Sequence, residues 1–118
     1  MKKLLIIFII LLITTIAYAQ KDVRISKFGS TIISGQTTVT TAGTAVALGG
    51  RANIVEVEVA SNDNNNGMIY IGPSTVNSAN GFILSTGQTA VIRVDSLADI
   101  YVDSDNNLQG VSYIAVIQ

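Results

Sequence analysis

Ile54-Val55-Glu56-Val57-Glu58-Val59-Ala60 alternates apolar and charged residues with a period of two. A strand places successive side chains on opposite faces, so Val55, Val57 and Val59 fall on one side. Glu56 and Glu58 fall on the other, with Ile54 and Ala60. Wound as a helix, the same run would scatter its valines around the cylinder, and β-branched residues are poor helix formers. The pattern predicts a half-buried strand with its valine face toward a core.

Shorter runs of the same kind follow at intervals of about ten residues, the spacing of an all-β domain. They cover residues 68–71, 82–84, 89–94, 99–103 and 111–117, with 37–41 and 44–48 upstream. Ala90, Ile92 and Val94 share a face, as do Val111, Tyr113, Ala115 and Ile117. In 99–103 either Ile100 and Val102 or Tyr101 points inward. Turn chemistry separates the runs. Asn66-Gly67 suits a type I′ turn, Asn80-Gly81 is a second turn signal, and Gly72-Pro73 ends a strand. Ser34-Gly35-Gln36 reads as a break, Gly49-Gly50 as a flexible joint, and Asp95-Ser96-Leu97-Ala98 as one helical turn. No βαβ rhythm appears. The expectation is an all-β fold, a single small antiparallel β-sandwich or jelly roll of roughly seven or eight short strands over residues 37–118.

The N-terminus reads as an address. Lys2-Lys3 precedes an apolar run from Leu4 to Ile16, and Ala17-Tyr18-Ala19 is a small-x-small cleavage signal. Residues 1–19 are a signal peptide cut after Ala19, or a membrane anchor. The stretch 4–19 falls short of the roughly 20 residues that span a bilayer. Either way the mature part crosses a membrane or lies beyond one. Residues 20–36 read as an extended arm or edge strand, because Val23, Ile25 and Lys27 alternate with Arg24, Ser26 and Phe28.

Composition narrows the chemistry. The 118 residues suit one domain, and they include no Cys, His or Trp. That removes disulfides, thiolate chemistry, Cys-based metal sites and the usual general base near neutrality. A triad hydrolase or zinc enzyme is not expected. After residue 20, Lys21, Arg24, Lys27, Arg51 and Arg93 face eight carboxylates, and no basic patch remains on the body. Nucleic-acid binding is not favoured.

Several constellations fail on inspection. Glu56 and Glu58 lie roughly 6–7 Å apart on one strand face, a spacing that can flank a glycosidic bond. Glycosidase carboxylates come from different strands, however, and aromatic platforms for a sugar are missing. Asp103-x-Asp105-x-Asn107 begins like a calcium loop, but Leu108 stands where Gly is needed and Ile114 where Glu is needed. Asx side chains bonding their own backbone account for both Asp/Asn loops more simply. Ser74 and Ser85 have no His partner. No catalytic residue, cofactor, metal ligand or small-molecule substrate is expected. Tyr70, Phe82, Tyr101 and Tyr113 are the candidate interface residues, since large aromatics dominate core and contact energetics.

From Ile69-Tyr70-Ile71-Gly72 onward the order becomes familiar. Gly81-Phe82-Ile83-Leu84, Thr86-Gly87-Gln88, Ile92-Arg93-Val94, Leu97-Ala98-Asp99-Ile100-Tyr101-Val102 and Val111-Ser112-Tyr113 follow in turn. This resembles small β-sandwich structural proteins of bacteriophage virions, whether minor capsid, vertex, decoration, spike or tail components. The resemblance implies a non-enzymatic protein acting through subunit packing, as a homo-oligomer and with other virion proteins. It implies no catalytic residue. The apolar leader fits a phage with an internal membrane, where residues 4–19 would anchor a vertex or spike protein. The alternative is a secreted bacterial β-sandwich module that binds a surface or polymer.

Overall fold

The computed structural model describes residues 31–118. The expected signal peptide or anchor (1–19) and residues 20–30 of the expected arm or edge strand (20–36) lie outside the described residues. Eight strands form in chain order: β1 (Thr31–Val39), β2 (Val46–Ala47), β3 (Ile54–Ser61), β4 (Ile69–Gly72), β5 (Phe82–Leu84), β6 (Thr89–Ile92), β7 (Tyr101–Ser104) and β8 (Gln109–Ile117). A single 3-10 turn, Leu97–Asp99, precedes β7, where one helical turn was expected. Ser96 caps it by accepting from the Ala98 N–H.

The strands make two antiparallel four-stranded sheets, ordered β1-β8-β3-β6 and β2-β7-β4-β5. Every connection changes sheet except β4 to β5. Eight strands shared between two sheets in this way make a jelly roll. The core between the sheets holds Val39, Leu48, Ile54, Val57, Val59, Ile69, Ile71, Leu84, Leu97, Ile100, Val102, Val111, Ala115 and Ile117. Each fully buried Val, Leu or Ile contributes about 1.5–3 kcal/mol. Ile100 and Val102 are the inward pair of the β7 region, and Tyr101 is half-buried.

Three local expectations need correction. The pairing of β3 with β8 shifts between Ile54 and Glu56, a bulge that drops Ile54 into the core beside Val57 and Val59. Val55 is left half-buried, so the alternation holds only from residue 56. Second, Ser34-Gly35-Gln36 does not break the chain. β1 runs straight through it, with Gly35 opposite Tyr113. A Cβ on Gly35 would stand 2.6 Å from the Tyr113 Cζ. Gly35 is there so that the tyrosine ring can cover an edge strand, an arrangement known to support glycine in sheets.

Third, Asn66-Gly67 is not a type I′ turn. That turn needs positive φ at both central residues. Among described residues only Asn53, Leu108, Gly43 and Gly87 have it. The physical reason is topological. Residues 62–68 link β3 to β4, which lie in different sheets. Stacked sheets stand about 10 Å apart, too far for a two-residue turn. The Thr86-Gly87 turn does form, with Gly87 at φ +75°.

Candidate functional site

The two Asp/Asn loops meet at one end of the sandwich, and their side chains act across the gap between them. Asn65 donates to the Gly110 carbonyl at 2.7 Å and to the Ser61 hydroxyl at 2.9 Å. Its Oδ1 accepts from the Gly110 N–H at 2.8 Å. One side-chain amide thus pairs with both backbone groups of Gly110, as a neighbouring strand would. Gln109 accepts from the Asn66 and Gly67 N–H groups and donates to the Asn107 carbonyl. Asn62 accepts from the Ser112 hydroxyl.

The carboxylates are occupied in the same way. Asp103, fully buried, accepts from the Gly43 and Ser104 N–H groups at 2.9 and 2.8 Å. Asp105 accepts from Met68 N–H, and Asn107 from Ala42 N–H. The three residues that began like a calcium loop therefore each accept from backbone donors, Asp103 and Asn107 from the adjacent Gly43 and Ala42, and Asp105 from Met68. Among described residues no group of three or more His, Cys, Asp or Glu is placed to hold a metal ion. The expected bonding of each loop to its own backbone is a minor part of the pattern. Most of these contacts join residues far apart in sequence, which is why reading each loop alone missed them.

Tyr70 sits beside this network. It pairs across the sheet with Asp103 and is buried under the 73–81 loop, where Gly81 approaches its Cβ. Burial, then the charges of Asp105 and Asp103, raise its phenol above the ordinary value of 10.0. The folded state therefore holds the proton more tightly than the unfolded one. This stability is intact below pH 10 and is lost as pH rises toward the raised folded value. Melting temperature is expected to fall across alkaline pH, and Tyr70→Phe is expected to flatten that fall. An identical alkaline slope in wild type and Tyr70→Phe would show that Tyr70 does not carry it.

The four candidate interface residues do not share one surface. Tyr70 is covered, and Tyr101 and Tyr113 are half-buried in different sheets. Tyr113 packs against the core. Phe82 is the open one, at 63% exposure. It pairs with Ile71 and lies two residues from buried Leu84, so it shares their inward face. It is exposed because β5 ends its sheet there.

The opposite long edge is closed. Thr37 Oγ1 donates to the Leu48 carbonyl at 2.6 Å, joining β1 to the residues after β2. The β5/β6 edge instead holds an apolar groove of about 280 Å³, lined by Ile71, Gly72, Phe82, Ala90, Val91 and Ile92. Val91 is 60% exposed, and Ile83 on the other face of β5 is exposed as well. A second, shallower hollow lies on the outer face of the β1-β8-β3-β6 sheet, lined by Glu58, Ala60, Ser112, Tyr113 and Ile114. The nearby Arg93–Glu56 pair at 3.0 Å is exposed and worth about 0–1 kcal/mol.

The class defined by this geometry is an eight-stranded jelly roll with one apolar edge left open. No family model and no curated protein matches the chain. Among solved structures it is similar to the IMPa metallopeptidase from Pseudomonas aeruginosa, at 12% identity and TM-score 0.49. That match covers 78% of this chain and only 13% of the peptidase. A pilus protein of Bacillus endospore appendages matches at 13% identity and TM-score 0.39, over 83% of this chain and all of that one. The prophage-derived protein YomS of SPBc2 matches at 13% identity and TM-score 0.42, over 74% and 96%. None of these scores reaches one half, and none assigns a family or a role. Among described residues no helix is long and apolar enough to cross a membrane.

Proposed function

We propose that this chain is a non-enzymatic structural protein that works by packing against copies of itself outside the cytoplasm, as a minor capsid, vertex, decoration or spike component of a virion. The observation that carries the reading is the open β5/β6 edge. The core is complete, yet Phe82 and Val91 remain exposed beside an apolar groove. Contiguous exposed apolar surface marks an interaction site. The loops at the sandwich end are latched by cross-loop hydrogen bonds, a rigidity that suits a building block. The leader in residues 1–19 supports export or membrane anchoring.

Sedimentation velocity of the purified chain tests self-packing. An assembly whose size grows with concentration is expected, and a monomer at every concentration overturns the reading. The N-terminus and mass of the native protein, with a search for it in purified virus particles, separate the two settings. A particle-bound chain supports the virion component. A chain starting at Gln20 in a particle-free secreted fraction supports the secreted surface-binding module instead.

A further inference from the structure

We propose that the open β5/β6 edge takes residues 22–28 of a second copy, added as an extra strand along β6. The proposal rests on the self-packing reading above and names its partner. β6 ends its sheet, and among described residues it pairs only with β3 and its outer backbone groups meet no strand, so that edge can accept one. Ala90 and Ile92 turn their side chains inward beside Phe82, and the groove between them is apolar. In Asp22-Val23-Arg24-Ile25-Ser26-Lys27-Phe28, Val23 and Ile25 share one face, with Lys27 at its end. Laid along β6, that face would fill the groove and cover Phe82.

Charge points the same way. Residues 31–118 carry only Arg51 and Arg93 against seven carboxylates, whereas Lys21, Arg24 and Lys27 outnumber Asp22. A basic arm is drawn to an acidic body. Glu58 pairs with Val91 at the groove rim, beside the position Arg24 would take.

The donor is a second copy for reasons of reach. In the order β1-β8-β3-β6, a strand added outside β6 lies four strand spacings from β1, about 19 Å. The link from Phe28 to Thr31 spans at most about 10 Å. The arm cannot reach its own groove. Donor and acceptor surfaces lie on opposite edges, so the contact is head-to-tail and propagates into a ring or a filament.

The test uses the full chain, in detergent where the leader is retained, as wild type, Ile25→Asp and Phe82→Asp, which puts a charge into the groove itself. Phe82 is exposed, so that variant should keep the wild-type melting temperature. Phe82→Ser replaces Phe82→Asp if that variant does not fold. Wild type is expected to assemble, and each variant alone to sediment as a monomer. An equal mixture should stop at heterodimers, because the intact arm of Phe82→Asp enters the intact groove of Ile25→Asp. Ile25→Asp assembling like wild type overturns the arm proposal and leaves self-packing standing, as does a mixture that stays monomeric. A monomeric wild type overturns both.

Discussion

Val57→Asp is expected to leave the chain unfolded at room temperature. Val57 is 1% exposed and lies between Ile92 of β6 and Ala115 of β8. Losing its apolar burial costs about 1.5–3 kcal/mol. The new carboxylate has no cation beside it in the core. It must either remain charged there, at several kcal/mol, or take a proton. Protonation at pH 7 from an ordinary value near 3.9 costs about 4 kcal/mol, at 1.36 kcal/mol per pH unit. The total, about 6 kcal/mol, matches the whole stability of a small domain, about 5–15 kcal/mol. Far-UV circular dichroism with a thermal scan reads the outcome. Glu58→Gln is the control, since residue 58 faces solvent one position along and should keep the wild-type melting temperature. If Val57→Asp melts with wild type, the face assigned to β3 is wrong.

That the register could be read at all follows from the physics of period two. In β3, from residue 56 on, one face is buried and the other wet, and the sequence carries that difference at every second residue, whereas in β6 and β8 the inward residues alternate but exposed Val91 and Ile114 stand on the outer face. Ala90, Ile92 and Val94, and Val111, Tyr113, Ala115 and Ile117, point as the alternation requires. Where an alternation signal meets a bulge, as at Ile54, it fails by one residue, because a bulge has no composition of its own. Gly35 misled for a related reason. A glycine signals a break when read locally, and only the residue opposite, Tyr113, explains why a strand tolerates it. The Asn-Gly signal at 66–67 failed because hairpin chemistry presumes that consecutive strands are neighbours, and here they belong to different sheets. The open edge was half legible. Phe82 stands out in the sequence as a candidate for contact, and it is exposed, but the groove depends on which strands end each sheet, and strand order is not a local property. The loop latch was illegible for the same reason, since Asn65 and Gly110 stand 45 positions apart.

Asn65→Ala is expected to cost about 2–4 kcal/mol, large for a loop residue. The ordinary change at a surface loop is within about 0.5 kcal/mol. Asn65 is buried, and its amide is what pairs the Gly110 N–H. Truncation leaves that donor unsatisfied in a dry site, at about 1–3 kcal/mol. The Gly110 carbonyl keeps a second donor, Asn62 N–H at 3.1 Å, so its loss is smaller. The Ser61 hydroxyl loses its bond to the same amide. Urea denaturation at neutral pH measures the sum. Asn65→Asp sharpens the argument because it preserves shape and changes only hydrogen-bonding character. An ionised carboxylate still accepts from Gly110 N–H, but its second oxygen faces the Gly110 carbonyl where the wild type offers N–H. That repulsion is relieved by protonation, so the folded state of this variant raises the new carboxyl above its unfolded value. Its stability deficit should therefore be full at neutral pH and shrink as pH falls through the raised value. Asn65→Ala has no proton to gain and should show no such recovery. Equal pH profiles for the two variants would mean that the amide fills space in the loop and does not serve as a strand partner for Gly110.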